Sequence, residues 1–106
     1  MHPREWAIVH QFKDRLREEQ IPVASLFVYG SRIRGEAAPD SDLNVLVVVK
    51  NTDRSIRKQI SRCAWEVGYQ SNVFIHSTVM AQDEFESGPE RSSLFLRAVV
   101  QEGILV

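Results

Sequence analysis

Only one cysteine, Cys63, occurs in the 106 residues, so no internal disulfide can staple the chain, and a reducing compartment is the natural setting. No apolar run approaches the ~20 residues that a membrane-spanning helix needs. The opening Met1-His2-Pro3-Arg4-Glu5 begins a polar helix rather than a signal peptide, which leads us to expect a cytoplasmic protein with no membrane contact. There is no repeat and no low-complexity tract. Charge of one sign is not in excess either: 13 basic side chains stand against 14 acidic ones, which argues against a generic nucleic-acid coat. Ten of the basic residues are nevertheless arginines, whose planar forks suit bidentate phosphate contacts. The length allows one core and not two, so every functional part must share a single domain over residues 1–106.

Apolar residues Trp6, Val9, Phe12 and Leu16 recur at helical steps, and Lys13, Arg15, Arg17, Glu18 and Glu19 take the other face. Ile21-Pro22 should end this helix, because proline disfavours helical geometry in the residue before it. Ser25 to Tyr29 then reads as a buried strand stopping at Gly30, and Leu43 to Val49 as a second, central strand of nearly continuous apolar character. Thr52-Asp53-Arg54-Ser55 offers caps for a helix with Ile56, Ile60, Cys63, Ala64 and Val67 on one face, ending near Gly68. A short third strand is expected from Asn72 to His76. Thr78 to Arg91 is polar and reads as a helical turn and loop, followed by a last helix from Ser92 to Gln101 and a brief strand at Ile104-Leu105-Val106. The sum is a small α/β (α+β) fold, a mixed sheet of three to four strands with helices packed on it.

The residues between the first two strands carry the chemistry. Gly30 lets the backbone turn sharply at a strand end and admits a close ligand, while Ser31 can present hydroxyl and amide donors to phosphate oxygens. Ten residues separate Ser31 from Asp42, which opens the next strand beside this loop. Position 44 points from the same face, so Asp42 and Asn44 form a natural pair of metal ligands. Asparagine supplies a neutral carbonyl oxygen, but it cannot neutralise a metal or accept a proton from an attacking hydroxyl.

Gly30-Ser31-Arg32-Ile33-Arg34-Gly35 followed by Pro39-Asp40-Ser41-Asp42-Leu43-Asn44 resembles the signature of the minimal nucleotidyltransferase family, within the DNA polymerase beta-like superfamily: Gly-Ser, ten residues, then Asp-x-Asp. The resemblance covers nearly the whole chain. It implies nucleoside triphosphate binding, with ATP the expected nucleotide, and magnesium held by carboxylates for nucleotidyl transfer. It also implies a third carboxylate early in the strand after the second helix, a position that corresponds most closely to Asn72. With amides at 44 and 72, one carboxylate of three remains, and magnesium binding should be weak or lost. Two unit charges ~4 Å apart interact by roughly 4 kcal/mol at an effective dielectric near 20, the scale of what each missing carboxylate forfeits.

Gly30 and Ser31 are therefore the expected phosphate ligands with Arg32 and Arg34 as helpers; Asp42 and Asn44 are the expected metal ligands, and Asp42, Asn44 and Asn72 the catalytic positions. His76 reads as a polar strand-end residue rather than a ligand, Asp40 and Ser41 as turn residues, and Asp83, Glu84 and Glu86 as a solvated face. Trp65 and Tyr69 read as packing residues rather than a base-stacking platform, and Cys63 as a buried, inert thiol. The leading expectation is a catalytically impaired domain that keeps partial nucleotide binding and acts as an antitoxin-type partner of a HEPN-like toxin, a pairing the resemblance implies. The alternative is an active magnesium-dependent enzyme moving a nucleoside monophosphate to a protein or nucleic-acid hydroxyl. A homo-oligomer through a sheet edge or the last helix is a third, blander reading.

Overall fold

The computed structural model describes residues 1–33, 35, 41–88 and 93–106. Its elements run α1 (Pro3–Glu18), β1 (Val23–Tyr29), β2 (Leu43–Val49), α2 (Arg54–Ser71), β3 (Ile75–Ala81), α3 (Gln82–Ser87), α4 (Leu94–Glu102) and β4 (Ile104–Leu105). The four strands form one mixed sheet in the order β3-β2-β1-β4. β1 is antiparallel to both β2 and β4, whereas β2 and β3, joined through α2, run parallel.

The apolar run of β2 follows from its central place, since both faces must be covered. Leu43, Val45, Val47 and Val49 meet α1 and α2 through Phe12, Leu16, Ile60, Cys63 and Val67. Leu46 and Val48 face the other way, onto Leu96 and Val99 of α4 with Met80. The sheet thus sorts alternate residues into two cores, and Asn44, one step from Leu43 and Val45, lies on the α4 side.

Two helix ends explain where sequence and structure part. α1 stops at Glu18 because Gln20 turns left-handed at φ 60°, with the Ile21 amide donating to the Leu16 carbonyl at 3.1 Å. α2 ends the same way. Asn72 takes φ 59° and ψ 38°, and the Val73 amide donates to the Gly68 carbonyl at 3.0 Å, a Schellman closure in which asparagine is the tolerated non-glycine residue. The expected strand from Asn72 to His76 is corrected accordingly: Asn72 caps a helix, and β3 runs from Ile75 to Ala81. The sequence reads as turn and loop from Thr78 onward, but β3 lies at the sheet edge and needs to bury only Ile75, Met80 and Ala81. On α4, Leu96 and Val99 are buried, whereas Leu94, Phe95 and Val100 remain largely exposed.

Cys63 is buried and donates its thiol to Glu19 Oε2 at 2.7 Å. Burial, and then the hydrogen bond and negative charge of Glu19, push the thiol up to about 12. Iodoacetamide should therefore fail to alkylate the native protein at mildly alkaline pH and react readily once urea unfolds it. Rapid native labelling would contradict the assigned burial. Among the described residues no helix is long and apolar enough to cross a membrane.

Candidate functional site

The expected phosphate loop begins where β1 ends. Gly30 has φ 99°, a left-handed conformation that side chains disfavour, and the Ile33 amide donates to its carbonyl at 3.2 Å to close the turn. Tyr29 lies opposite Asn44 across the β1–β2 ladder, which brings the Asn44 side chain against Gly30. A Cβ at Gly30 would stand 2.7 Å from Asn44 Nδ2. Strain and collision coincide there, so Gly30→Ala should lower the unfolding free energy by about 1–3 kcal/mol. Equilibrium urea unfolding checks this, and an unchanged midpoint would contradict the geometry.

Asn44 and His76 are register partners across β2–β3, and two residues back, just beyond the ladder's first pair of Leu43 and Ile75, Phe74 comes beside Asp42, its carbonyl accepting from the Leu43 amide at 2.9 Å. Ser31 is half-buried, Asp42 exposed, Asn44 half-buried and His76 exposed. The structure thus brings together Gly30, Ser31, Asp42 and Asn44, with Phe74 and His76 as neighbours on β3. It puts Asn72 two residues before Phe74, at the α2 cap.

Arg32, expected at the phosphates, is bonded within the fold. Its Nε and Nη2 donate to the Ser41 carbonyl at 2.8 and 2.6 Å, and Nη1 donates to Glu5 Oε2 at 3.1 Å. The side chains of Arg32 and Glu5 are only 8% and 12% exposed. Glu5 also accepts from the His2 amide at 2.8 Å, closing the capping box at the start of α1. Burial pushes the Glu5 carboxyl up, yet the His2 amide and the Arg32 guanidinium together hold it below its ordinary value. The result is a brace from α1, through the residue after Ser31, to the residue before Asp42. Arg34 and Asp40, also named from the sequence, lie outside the described residues.

Beyond Gly30 the α4 side is closed by Tyr29 and Phe95, edge to face at 5.3 Å, leaving a recess of about 90 Å³ that Ala98 and Glu102 also line. The donor set is poor for a divalent metal: one carboxylate, one amide and one imidazole across the ladder. Among the described residues no group of three histidine, cysteine, aspartate or glutamate side chains could hold an ion.

Sequence reasoning missed the Glu5–Arg32 brace and the placement of Phe74 and His76 beside the carboxylate. The first had no local signal, since 26 residues separate its partners. The second needed the strand register.

The nucleotidyltransferase domain family matches the sequence over residues 9–100. Among solved structures, the chain is similar to the crystal structure of a mutant of the MntA–HpeT toxin–antitoxin pair, with TM-score 0.56 and 15% identity, covering 95% of this chain and 70% of that one. It is likewise similar to a putative nucleotidyltransferase from Sulfolobus solfataricus, with TM-score 0.53 and 17% identity over 99% of this chain and 87% of that one. At such identities the two likenesses speak for the fold. A search of curated proteins finds no match.

Proposed function

Because the chain belongs to the nucleotidyltransferase domain family, we propose that it holds a nucleoside triphosphate at Gly30 and Ser31, is impaired in transfer, and serves as the antitoxin-type partner of a HEPN-like toxin. ATP is the expected nucleotide. The carrying observation is the amide at Asn44, seated against Gly30 where the Asp42 carboxylate would need an anionic companion. Domains of this family use a nucleoside triphosphate and a divalent metal. Here the residues do not fit a magnesium pair, and no catalytic step is derived through one. What remains is suited to binding: the turn at Gly30 offers backbone and hydroxyl donors to phosphate oxygens, and the brace fixes that turn relative to Asp42. The partner is suggested by the likeness to a toxin–antitoxin protein.

Two measurements test this together. Tagged protein should retain a HEPN-like toxin at micromolar concentration whether or not Asp42 is replaced by alanine, and labelled ATP with magnesium should leave that toxin unlabelled. Label transfer that disappears in Asp42→Ala would establish a working enzyme instead, and failure to retain the toxin would remove the partner.

A further inference from the structure

The outer face of α2 carries a row of side chains that neither core uses. Arg54, Lys58, Arg62, Trp65 and Tyr69 follow at steps of four, four, three and four residues, which places them on one side of the helix. At 1.5 Å per residue the row is about 22 Å long, with successive members about 6 Å apart. Its first part is cationic and its last part aromatic. The sequence reading of Trp65 and Tyr69 as packing residues is corrected here, because they are 62% and 75% exposed. Their rings stack on each other, centroids 5.3 Å apart and planes 15° from parallel. Phe74, 58% exposed, stands across a groove of about 630 Å³ that also includes Ala64, Gly68 and Val73. Gly68 lets the chain close tightly over the end of α2, since a Cβ there would lie 2.4 Å from the Val73 carbonyl oxygen.

The start of this face is cationic although the chain's overall balance is not. Among the described residues neither Arg54 nor Lys58 makes an ion pair, whereas Arg62 is held by Glu19 and Glu66, and Glu66 also pairs with Arg15. A face evolved only to meet water has no use for three large exposed rings, and a purely apolar contact has no use for an adjoining line of cations. Both fit one ligand chemistry. Cations one helical turn apart match successive phosphates of an extended strand, and flat aromatic faces accept any base.

We propose that the outer face of α2, with Phe74, binds a short stretch of single-stranded nucleic acid, its phosphates along Arg54 and Lys58 and its bases on Trp65, Tyr69 and Phe74. This surface meets the candidate site at Phe74, which neighbours Asp42, but it uses neither Gly30 nor Ser31.

The probe is a fluorescein-labelled oligouridylate of about ten nucleotides, titrated at low salt and followed by anisotropy and by quenching of tryptophan fluorescence. Binding is expected at micromolar protein, weakening with salt, and weaker for a duplex of the same length. Tyr69→Ala should reduce affinity about five-fold or more, and Arg54→Gln with Lys58→Gln should reduce both affinity and salt dependence. Because these side chains are exposed, circular dichroism should show the variants folded. Asp42→Ala should bind the oligonucleotide as the parent does. Absent binding, or binding that these variants leave unchanged, would overturn the proposal. So would concentration-dependent self-association that Tyr69→Ala abolishes in a protein that ignores the oligonucleotide, which would make the face a protein contact.

Discussion

Arg32→Ala is expected to destabilise the protein by about 3–5 kcal/mol, the cost typical of leaving one member of a buried ion pair alone. Glu5 would keep only the His2 amide, at 12% side-chain exposure, and the Ser41 carbonyl would lose both of its guanidinium donors. The pH dependence gives the loss a signature. In the parent the Glu5 carboxyl lies below its ordinary value, so its stabilising contribution is fully present above the ordinary carboxyl range and fades as pH falls through the lowered one. Without Arg32 two of the influences that lower the carboxyl are gone, so the variant takes up its proton at higher pH than the parent and the gap between the two proteins narrows on acidification. Urea unfolding at neutral pH and near the carboxyl range reads both effects. A loss below about 1 kcal/mol, typical of an exposed pair, would contradict the brace. Nucleotide affinity should fall as well, since the same side chain fixes the turn that follows Ser31.

Asn44→Asp is the second large effect, and it acts in the opposite direction. The two side chains have nearly the same shape, so the contact with Gly30 should survive while the site gains a second anion beside Asp42. Two unit charges ~4 Å apart interact by roughly 4 kcal/mol at an effective dielectric near 20, and a divalent ion doubles this to roughly 8 kcal/mol for each carboxylate, before desolvation is subtracted. A rise of about tenfold or more in magnesium-dependent nucleotide affinity is a conservative expectation from that figure. Without metal the two like charges should repel, so the variant's thermal midpoint should drop slightly and then recover as magnesium is added. The register refines this. His76→Asp, across the ladder from position 44, should strengthen the effect, whereas Asn72→Asp, at the α2 cap, should add little. If Asn72→Asp proved the stronger of the two, the strand pairing assigned to β3 would be wrong at the site.

Much of this architecture was legible in the chain because the signals were local. The two-sided burial of Leu43 to Val49 shows as an unbroken apolar run, and Asp53 announces α2 by accepting from the Ile56 amide at 2.8 Å. The glycine and serine after β1, and the spacing to Asp42, put these residues near one another beside the central strand, and the register has them so. What misled was polarity taken as position. Asn72 looked like a substituted carboxylate at the head of a strand, but its left-handed backbone is a helix cap. The stretch from Thr78 looked like turn and loop because an edge strand need bury only part of its residues. Arg32 looked like a phosphate ligand because its partner, Glu5, lies in another element, and no window short enough to read a motif contains both. Trp65 and Tyr69 looked like core because large rings usually are, and helical spacing alone does not say which face turns inward.

Calorimetric titration of the unaltered protein with ATP, with and without magnesium, bears most directly on the proposal that the site keeps a single metal-binding carboxylate. Nucleotide should bind in both conditions, with at most the one cation that the triphosphate itself carries, and direct metal analysis of the saturated complex should agree. Two divalent ions retained per chain at millimolar magnesium would contradict the account, because Asp42 and its neutral neighbours would then be holding what we conclude they cannot.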